Sequence, residues 1–148
     1  MAEGLEGAAG LVERAREAAG RAYAPYSGVL VGAAILARSG GVYAGCNVEN
    51  AAYPLGHCAE SAAIAQGVQA EGAAFAIAAI AVWARAADGA PLALSPCGGC
   101  RQRIREHAID ESVPVSFPRA GGGIATFTIG QLLPEPFLRR SLRREPPA

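Results

Sequence analysis

The sequence FAIAAIAVWA (residues 75–84) is the most informative segment of the chain for its architecture. It has ten consecutive uncharged residues, which is too short to cross a membrane as a helix and favours a strand buried on both faces. Helical patterns lie on both sides of it, at residues 58 to about 70 and in CGGCRQRIREHA (residues 97–108). A buried strand between two helices is typical of an α/β protein.

The remaining segments add one helix and four strands. Apolar residues recur at helical spacing from Leu5 to Ala19, which predicts an amphipathic helix of about five turns. VLVGAAILARSGGVYAG (residues 29–45) predicts a hairpin, and VPVSF (113–117) and IATFTI (124–129) predict two further strands. The order αββαβαββ therefore predicts a sheet with helices on both faces, whose two helical crossovers are parallel and right-handed.

Composition and length indicate a single domain. Thirteen basic and thirteen acidic residues give a formal net charge of zero, which argues against coating nucleic acid or a membrane surface by charge alone. Hydrophobic residues make up 51% of the chain, but 34 of them are alanines, so the larger apolar residues suffice for one core. We predict one domain over residues 1–148, with a core at about 5–137 and an Arg/Pro-rich tail at 138–148.

The chain carries no sequence pattern of a membrane or secreted protein. Its longest uncharged stretch, residues 22–37, has 16 residues and contains Pro25, and is shorter than a spanning helix. Glu3 and Glu6 stand where a secretory leader would carry positive charge. We expect a cytoplasmic protein in which the four cysteines are reduced, as ligands, redox groups or buried packing.

Three of these cysteines form a pattern that is typical of a metal site. Cys97 and Cys100 form a Pro-Cys-x-x-Cys pair at the start of one predicted helix, and Cys58 begins another, with Glu60 two residues later. Helix N-termini favour thiolates because their N–H groups and dipoles are positive. Three thiolates with one open position are the ligand count of a catalytic zinc, and Glu60 is close enough to reach a metal-bound water.

Other interpretations of these residues exist. The C-x-x-C pair alone is compatible with a thioredoxin-like dithiol. Cys46 offers a fourth ligand for a closed structural zinc site. His57 is a poorer ligand because it adjoins Cys58, and we interpret it as a surface or loop-anchoring residue; we assign His107 a contact with a helix C-terminus.

The flanking residues distinguish these interpretations. Cys58-Ala59-Glu60 followed by Pro96-Cys97-x-x-Cys100 matches the signature of zinc-dependent nucleoside and nucleobase deaminases. The chain resembles the small homotetrameric, three-cysteine cytidine deaminases over residues 5 to 137. The resemblance rests on five ordered blocks: AYAPYS (22–27), VGAAIL (31–36), GCNVENAAYPLG (45–56), SPCGGCRQ (95–102) and LLPEPF (132–137).

This resemblance implies a fold, a cofactor and a set of roles. The fold is a three-layer α/β/α sandwich with a mixed five-stranded sheet. Cys58, Cys97 and Cys100 hold Zn²⁺, and Glu60 is the proton shuttle, while Cys46 is a small buried residue and no ligand. The remaining implied residues contact substrate: Asn47 and Glu49 at the ribose 3′-hydroxyl, Ala59 and Val29 in the pocket, and Phe137 in the site of a neighbouring subunit.

Two positions depart from the family pattern. Ser61 stands where the family usually has an Arg that bonds the ligand thiolates, and three thiolates on Zn²⁺ leave a charge of −1. Arg101 and Arg103 are candidates for offsetting that charge. Val29 stands where the family has Phe, which removes an aromatic contact worth about 0.5–1.5 kcal/mol beyond burial.

The sequence thus predicts a deaminase that converts cytidine and 2′-deoxycytidine to the uridines, with release of ammonia. Three alternatives stay open: a deaminase of a modified aminopyrimidine nucleoside such as blasticidin S, a deaminase of bases in RNA or DNA, and a zinc-stabilised protein without turnover. The arginines 139, 140, 143 and 144 are the basic feature relevant to nucleic acid, and a solvated chain end is the simpler interpretation.

Overall fold

The computed structural model describes residues 7–142, and these form a five-stranded sheet between helices. The helices are α1 (Ala8–Ala19), α2 (Ala59–Glu71), α3 (Gly98–His107) and the short α4 (Ile129–Leu132). The strands are β1 (Val29–Ala37), β2 (Val42–Cys46), β3 (Ile77–Ala86), β4 (Pro114–Pro118) and β5 (Ile124–Thr128). Single 3₁₀ turns occupy Tyr53–Leu55, Gly72–Ala74 and Arg139–Leu142.

The sheet has the strand order β2-β1-β3-β4-β5 and is mixed. β1 pairs antiparallel with both β2 and β3, β3 pairs parallel with β4, and β4 pairs antiparallel with β5. Because β2 and β3 both run opposite to β1, they run parallel to each other. Both crossovers that carry helices, through α2 and through α3, therefore join parallel strands, as the sequence predicts.

Helices cover both faces of the sheet, and the side chains of β1 and β3 alternate between them. Ala34 and Ala81 pack with Ala15 of α1 on one face. On the other face, Ala33 and Val82 belong to the larger apolar cluster, which includes residues of α2 and α3. This alternation confirms the three-layer architecture and the expectation that residues 75–84 contain a strand buried on both sides.

Two glycines allow the helices to lie close to the sheet. A Cβ on Gly32 would lie 1.9 Å from the carbonyl oxygen of Ala15, so α1 rests directly on the backbone of β1. A Cβ on Gly45 would lie 2.4 Å from the backbone nitrogen of Ala63, so α2 rests in the same way on β2. The second contact fixes the first turns of α2, where Glu60 lies.

The boundaries of two elements differ from the prediction. α1 begins only at Ala8, because Gly7 is extended (φ −99°, ψ 158°), so the helix is 12 residues long and shorter than the five turns predicted. Leu5 lies outside the described residues. β3 begins at Ile77, because the 3₁₀ turn Gly72–Ala74 precedes Phe75. Of the predicted tail, residues 143–148 lie outside the described part, including Arg143 and Arg144.

Candidate active site and metal centre

The first turns of α2 and α3 place the cysteines. Cys58 is the N-cap residue of α2 and Cys97 is the N-cap residue of α3, and both have extended backbones (φ −74° and −67°). Neither side chain caps its own helix, so both thiols stay available to a ligand. Cys100 follows in the first turn of α3 and is 1% exposed. The helix starts that the sequence predicts for these cysteines are confirmed.

The three sulfur atoms converge as a metal site requires. The Sγ atoms of Cys58, Cys97 and Cys100 all lie within 4.8 Å of one another. Zinc bound tetrahedrally at about 2.3 Å from each sulfur needs sulfur–sulfur separations of about 3.8 Å, which small side-chain rotations reach from here. Soft thiolates are also donors that Zn²⁺ prefers. The donor set and its spacing therefore fit this metal, with a fourth coordination position left for a water or substrate.

Cys46 does not belong to this cluster. It lies at the end of β2 and lines a separate cavity with residues of α1 and α2, among them Arg14 and Gln66. Among the described residues, the three-cysteine group is the only set of three or more His, Cys, Asp or Glu side chains whose ligand atoms come together. The arrangement therefore leaves Cys46 apart from the candidate metal ligands.

The thiols influence one another's acidity. Hydrogen bonding from Cys100, together with a weaker contribution from Cys97, lowers the pKa of the Cys58 thiol to about 6. The same hydrogen bond and burial raise the pKa of Cys100, because it is the donor of the pair. Cys58 therefore becomes a thiolate, the form that binds a metal, more readily than Cys100 does.

Glu60 is a buried acid beside these thiols. It is the second residue of α2, is 3% exposed and lines the same cleft as the three cysteines. Burial raises the pKa of its carboxyl, while its own backbone amide, Cys100 and the positive charge of Arg103 act in the opposite direction. A carboxyl with a raised pKa can both accept and return a proton closer to neutral pH, as a general acid–base must.

The cleft has a volume of about 360 Å³, which is in the range of small-molecule sites. It is lined by the thiols and Glu60, by the loop that joins β2 to α2, by Val31 of β1 and by residues 94–95. Seven of the nine predicted site residues line it: Asn47, Glu49, Cys58, Ala59, Glu60, Cys97 and Cys100. The structure thus gathers into one cleft residues that are up to 53 positions apart in the sequence.

Asn47 and Glu49 are fixed by the backbone around them. The Asn47 side chain accepts a hydrogen bond from the Val31 amide (2.8 Å) and donates one to the Val29 carbonyl (2.9 Å). Glu49 accepts hydrogen bonds from the amides of Tyr26 (2.9 Å) and Ser27 (3.2 Å) and from the Ser27 hydroxyl. The Ser27 hydroxyl contributes most to lowering the pKa of Glu49, so this carboxylate is ionised and oriented.

Val29 and Phe137 do not line the cleft of their own chain. Val29 packs against the larger apolar cluster at the start of β1, and Val31 is the β1 side chain that reaches the cleft. Phe137 is 60% exposed. Its backbone is held on both sides by Gln102, whose side chain donates to the Phe137 carbonyl (2.7 Å) and accepts from its amide (3.1 Å).

The structure adds cleft residues that the sequence analysis missed. Tyr53, Leu94 and Ser95 line the cleft, and so does His57, which the sequence had indicated only as a surface or loop-anchoring residue. His57 also anchors the loop, since its backbone exchanges two hydrogen bonds with Val48 (2.8 and 3.0 Å). Tyr53 and Ser95 lie inside the blocks that carry the family resemblance, and that position is the feature of the sequence that could have identified them.

The Cys58-Ala59-Glu60 and Pro96-Cys97-x-x-Cys100 segments thus come together in space as the signature of the zinc-dependent deaminases requires. The model of the cytidine and deoxycytidylate deaminase zinc-binding region matches residues 6–116 of this chain. The chain belongs to this family.

Individual relatives agree with that assignment. The chain is 39% identical over 132 residues to the cytidine deaminase of Sporosarcina psychrophila, which covers 89% of this chain and 92% of the relative. It is also 39% identical over 131 residues to the cytidine deaminase of Mycobacterium tuberculosis, covering 88% and 90%.

Solved structures show the same fold. The crystal structure of cytidine deaminase from Burkholderia pseudomallei has a TM-score of 0.75 at 38% identity, and the match covers 88% of this chain and 99% of that one. The cytidine deaminase of M. tuberculosis has a TM-score of 0.69 at 37% identity, covering 86% and 94%. In the described residues, no helix is both long and apolar enough to cross a membrane.

Proposed function

We propose that this chain catalyses the hydrolytic deamination of cytidine and 2′-deoxycytidine to uridine and 2′-deoxyuridine, with release of ammonia. The observation that carries this proposal is the buried Glu60 carboxyl beside three converging thiols at the floor of a nucleoside-sized cleft. The family and the relatives named above support the reaction class and the substrate class.

Cys58, Cys97 and Cys100 are the proposed zinc ligands. When bound, the metal acts as a Lewis acid that lowers the pKa of a coordinated water towards neutrality. The protein's own contribution is the geometry of the two helix starts, whose N–H groups and dipoles stabilise the thiolates. All three line the cleft, with Cys100 buried and Cys58 and Cys97 exposed.

Glu60 is the proposed proton carrier. It accepts a proton from the attacking water and delivers it to N3 of the pyrimidine, which makes C4 electrophilic. As the water oxygen bonds to C4, Glu60 takes the remaining proton of that new hydroxyl and passes it to the exocyclic amine, so that the C4–N bond breaks and ammonia leaves as the C4 carbonyl forms. One carboxyl can perform both steps because burial raises its pKa and its position in the first turn of α2 holds it next to the ligands.

Asn47 and Glu49 are the proposed ribose contacts. Each keeps hydrogen-bonding capacity after its backbone partners are satisfied, since Asn47 has a second amide hydrogen and the carboxylate of Glu49 has further lone pairs. The ionised Glu49 suits a hydroxyl donor such as the ribose 3′-OH. Ala59, between a ligand and the acid, lines the cleft and leaves room for the base.

The finer predictions about assembly and location belong to this proposal. A homotetramer is supported by the exposed Phe137, whose side chain lies outside its own cleft and is free to complete the site of a neighbouring subunit. A cytoplasmic location suits three thiols that must stay reduced. The single domain at 1–148, with a core at about 5–137, also remains a prediction.

A modified aminopyrimidine nucleoside, such as blasticidin S, is the second candidate substrate. The observation in its favour is a second hollow of about 380 Å³ that adjoins the cleft and shares Glu49, Tyr53 and Gly56 with it. This hollow gives room for a larger substituent on the sugar side.

A substrate panel tests the proposal directly. Purified zinc-loaded protein is incubated with cytidine, 2′-deoxycytidine, cytosine, CMP and blasticidin S, and ammonia release is measured. We expect turnover of the first two at kcat/KM values far above the others. No ammonia from any compound would disprove the enzyme, and a clear preference for blasticidin S would replace the proposed substrate with the second candidate.

A further inference from the structure

The candidate metal centre has an excess of negative charge. Three thiolates around a divalent cation leave a net charge of −1, and the Glu60 carboxyl lies beside them. The residue after Glu60 is Ser61, which carries no charge. The dipoles of α2 and α3 offset part of the excess, but each is equivalent to only about half an elementary charge.

Two arginines of α3 are near enough to be considered, and they differ in their contacts. Arg101 holds neighbouring segments together through hydrogen bonds. Its guanidinium donates to the Pro96 carbonyl (2.8 Å), the Leu132 carbonyl (3.0 Å) and the Ser95 hydroxyl (3.3 Å). Arg103 makes no hydrogen bond or ion pair with any side chain or backbone group among residues 7–142. Its positive charge is therefore not neutralised by a partner in the described part of the chain.

The position of the Arg103 guanidinium relates it to the ligands. A Cβ built on Gly99 would lie 3.2 Å from Arg103 Nη1 and 3.9 Å from Cys97 Sγ, so these two atoms can be no farther apart than the sum of those distances. Helical side chains point back towards the N-terminus, which brings Arg103 to the start of α3. Gly99, lacking a side chain, leaves the space that the guanidinium occupies.

We propose that Arg103 is a positioning residue that offsets the third thiolate charge and stabilises the zinc–thiolate centre. It does so through space from the start of α3, using the gap at Gly99. The inference rests on the proposed zinc site, but it concerns metal binding and does not require a particular substrate.

Zinc affinity tests the inference without substrate. Arg103→Gln removes the charge, Arg103→Lys keeps it, and Arg105→Gln is the matched control, because Arg105 is on the same helix and its charge acts on Asp110. Zinc dissociation constants are measured by competition with a chelator of known affinity, after circular dichroism has established that each variant is folded. We expect Arg103→Gln to weaken binding about 10–100-fold, as loss of an outer-shell partner does. We expect Arg105→Gln to change binding less than about twofold and Arg103→Lys to recover most of the affinity.

Ionic strength separates charge from packing. The difference between Arg103→Gln and the unmodified chain should shrink between 0.05 M and 1 M NaCl, because salt screens an exposed charge and does not restore a lost contact. Equal zinc affinities for the Arg103→Gln and Arg105→Gln variants would overturn the inference, as would a loss that is independent of salt. Zinc binding that depends on Arg103 in a protein that deaminates none of the panel would instead disprove the proposed function alone.

Discussion

The side chain of Gln102 hydrogen-bonds both backbone groups of Phe137, with distances of 2.7 Å to the carbonyl and 3.1 Å to the amide. Gln102 belongs to α3, the helix that carries Cys97 and Cys100. The Phe137 segment is thus attached to the helix of the candidate metal site, although 35 residues separate the two partners. The exposed Phe137 ring is presented from a fixed backbone.

Gln102→Leu should therefore impair substrate binding through Phe137. We expect KM for cytidine to rise about 2–10-fold, the equivalent of one aromatic contact, while the oligomer stays intact by size-exclusion chromatography. Phe137→Ala should raise KM at least as much. Since both changes affect one contact, the double variant should be no worse than Phe137→Ala alone; fully additive effects would contradict the coupling.

Glu60→Gln should abolish turnover while the metal site persists. The amide is the same size as the carboxyl but neither accepts nor releases a proton near neutral pH, so we expect kcat to fall about 10²–10⁴-fold. Zinc content by atomic emission should stay near that of the unmodified chain. Glu106→Gln, an exposed acid on α3, is the control and should keep full activity. Substantial activity in the Glu60 variant would refute its assignment as proton carrier.

Ser27→Ala should disturb ribose recognition without affecting the chemistry. The Ser27 hydroxyl donates to Glu49 and accepts from the Val29 amide (3.0 Å), so its loss removes the main cause of the lowered Glu49 pKa. We expect a higher KM for cytidine with kcat little changed. With 3′-deoxycytidine, which lacks the hydroxyl that Glu49 would bind, the variant and the unmodified chain should have similar KM values. An equal rise for both substrates would argue against the 3′-hydroxyl contact.

Gly32→Ala should destabilise the fold, because its Cβ would lie 1.9 Å from the Ala15 carbonyl oxygen and force α1 away from β1. Overpacking of this kind costs about 1–3 kcal/mol in the free energy of unfolding, measured by urea titration. Gly98→Ala is the control, since a Cβ there meets no atom within 4 Å and the glycine is helical. That variant should be neutral or more stable by up to about 1 kcal/mol.

The thiol of Cys58 should be unusually reactive once zinc is removed. Its pKa of about 6 means that it is mostly thiolate at pH 7, and the rate of alkylation should fall as the pH drops through about 6. Iodoacetamide labelling of chelator-treated protein, followed by peptide mass mapping, gives this pH profile. Added zinc should protect Cys58 from labelling. A half-maximal rate near pH 9 would show an ordinary thiol.

Local sequence patterns predicted the elements that carry the site. Cys58 and Cys97 each stand at the start of a helical pattern, and the structure places both at N-caps because the residues before them lack helical periodicity. The buried strand was equally predictable, because a short apolar run between two helices is typical of a strand that is covered on both faces. The same patterns predicted the five strands and their order, and the family resemblance added that they form one mixed sheet in a three-layer sandwich.

Local sequence patterns could not predict which side chains of distant segments come into contact. Val29 and Val31 are two residues apart on β1, so their side chains point to the same face of the sheet. Only Val31 is close enough to line the cleft, and the sequence does not show that difference. Arg101 and Arg103 are equivalent by sequence, and they differ because Arg101 meets carbonyls of two other segments. The attachment of Phe137 to Gln102 likewise depends on how the chain returns after β5.

The division of the three thiols between two helices also bears on the order of folding. Cys97 follows Cys58 by 39 positions, and all of β3 lies between them. The start of α2 therefore provides only one of the three ligands. All three come together only after β3 has paired with β1 and α3 has packed on the same face of the sheet as α2. In refolding experiments, tight zinc uptake should thus be a late event that coincides with completion of the sheet, and a metal-responsive dye would time that event directly.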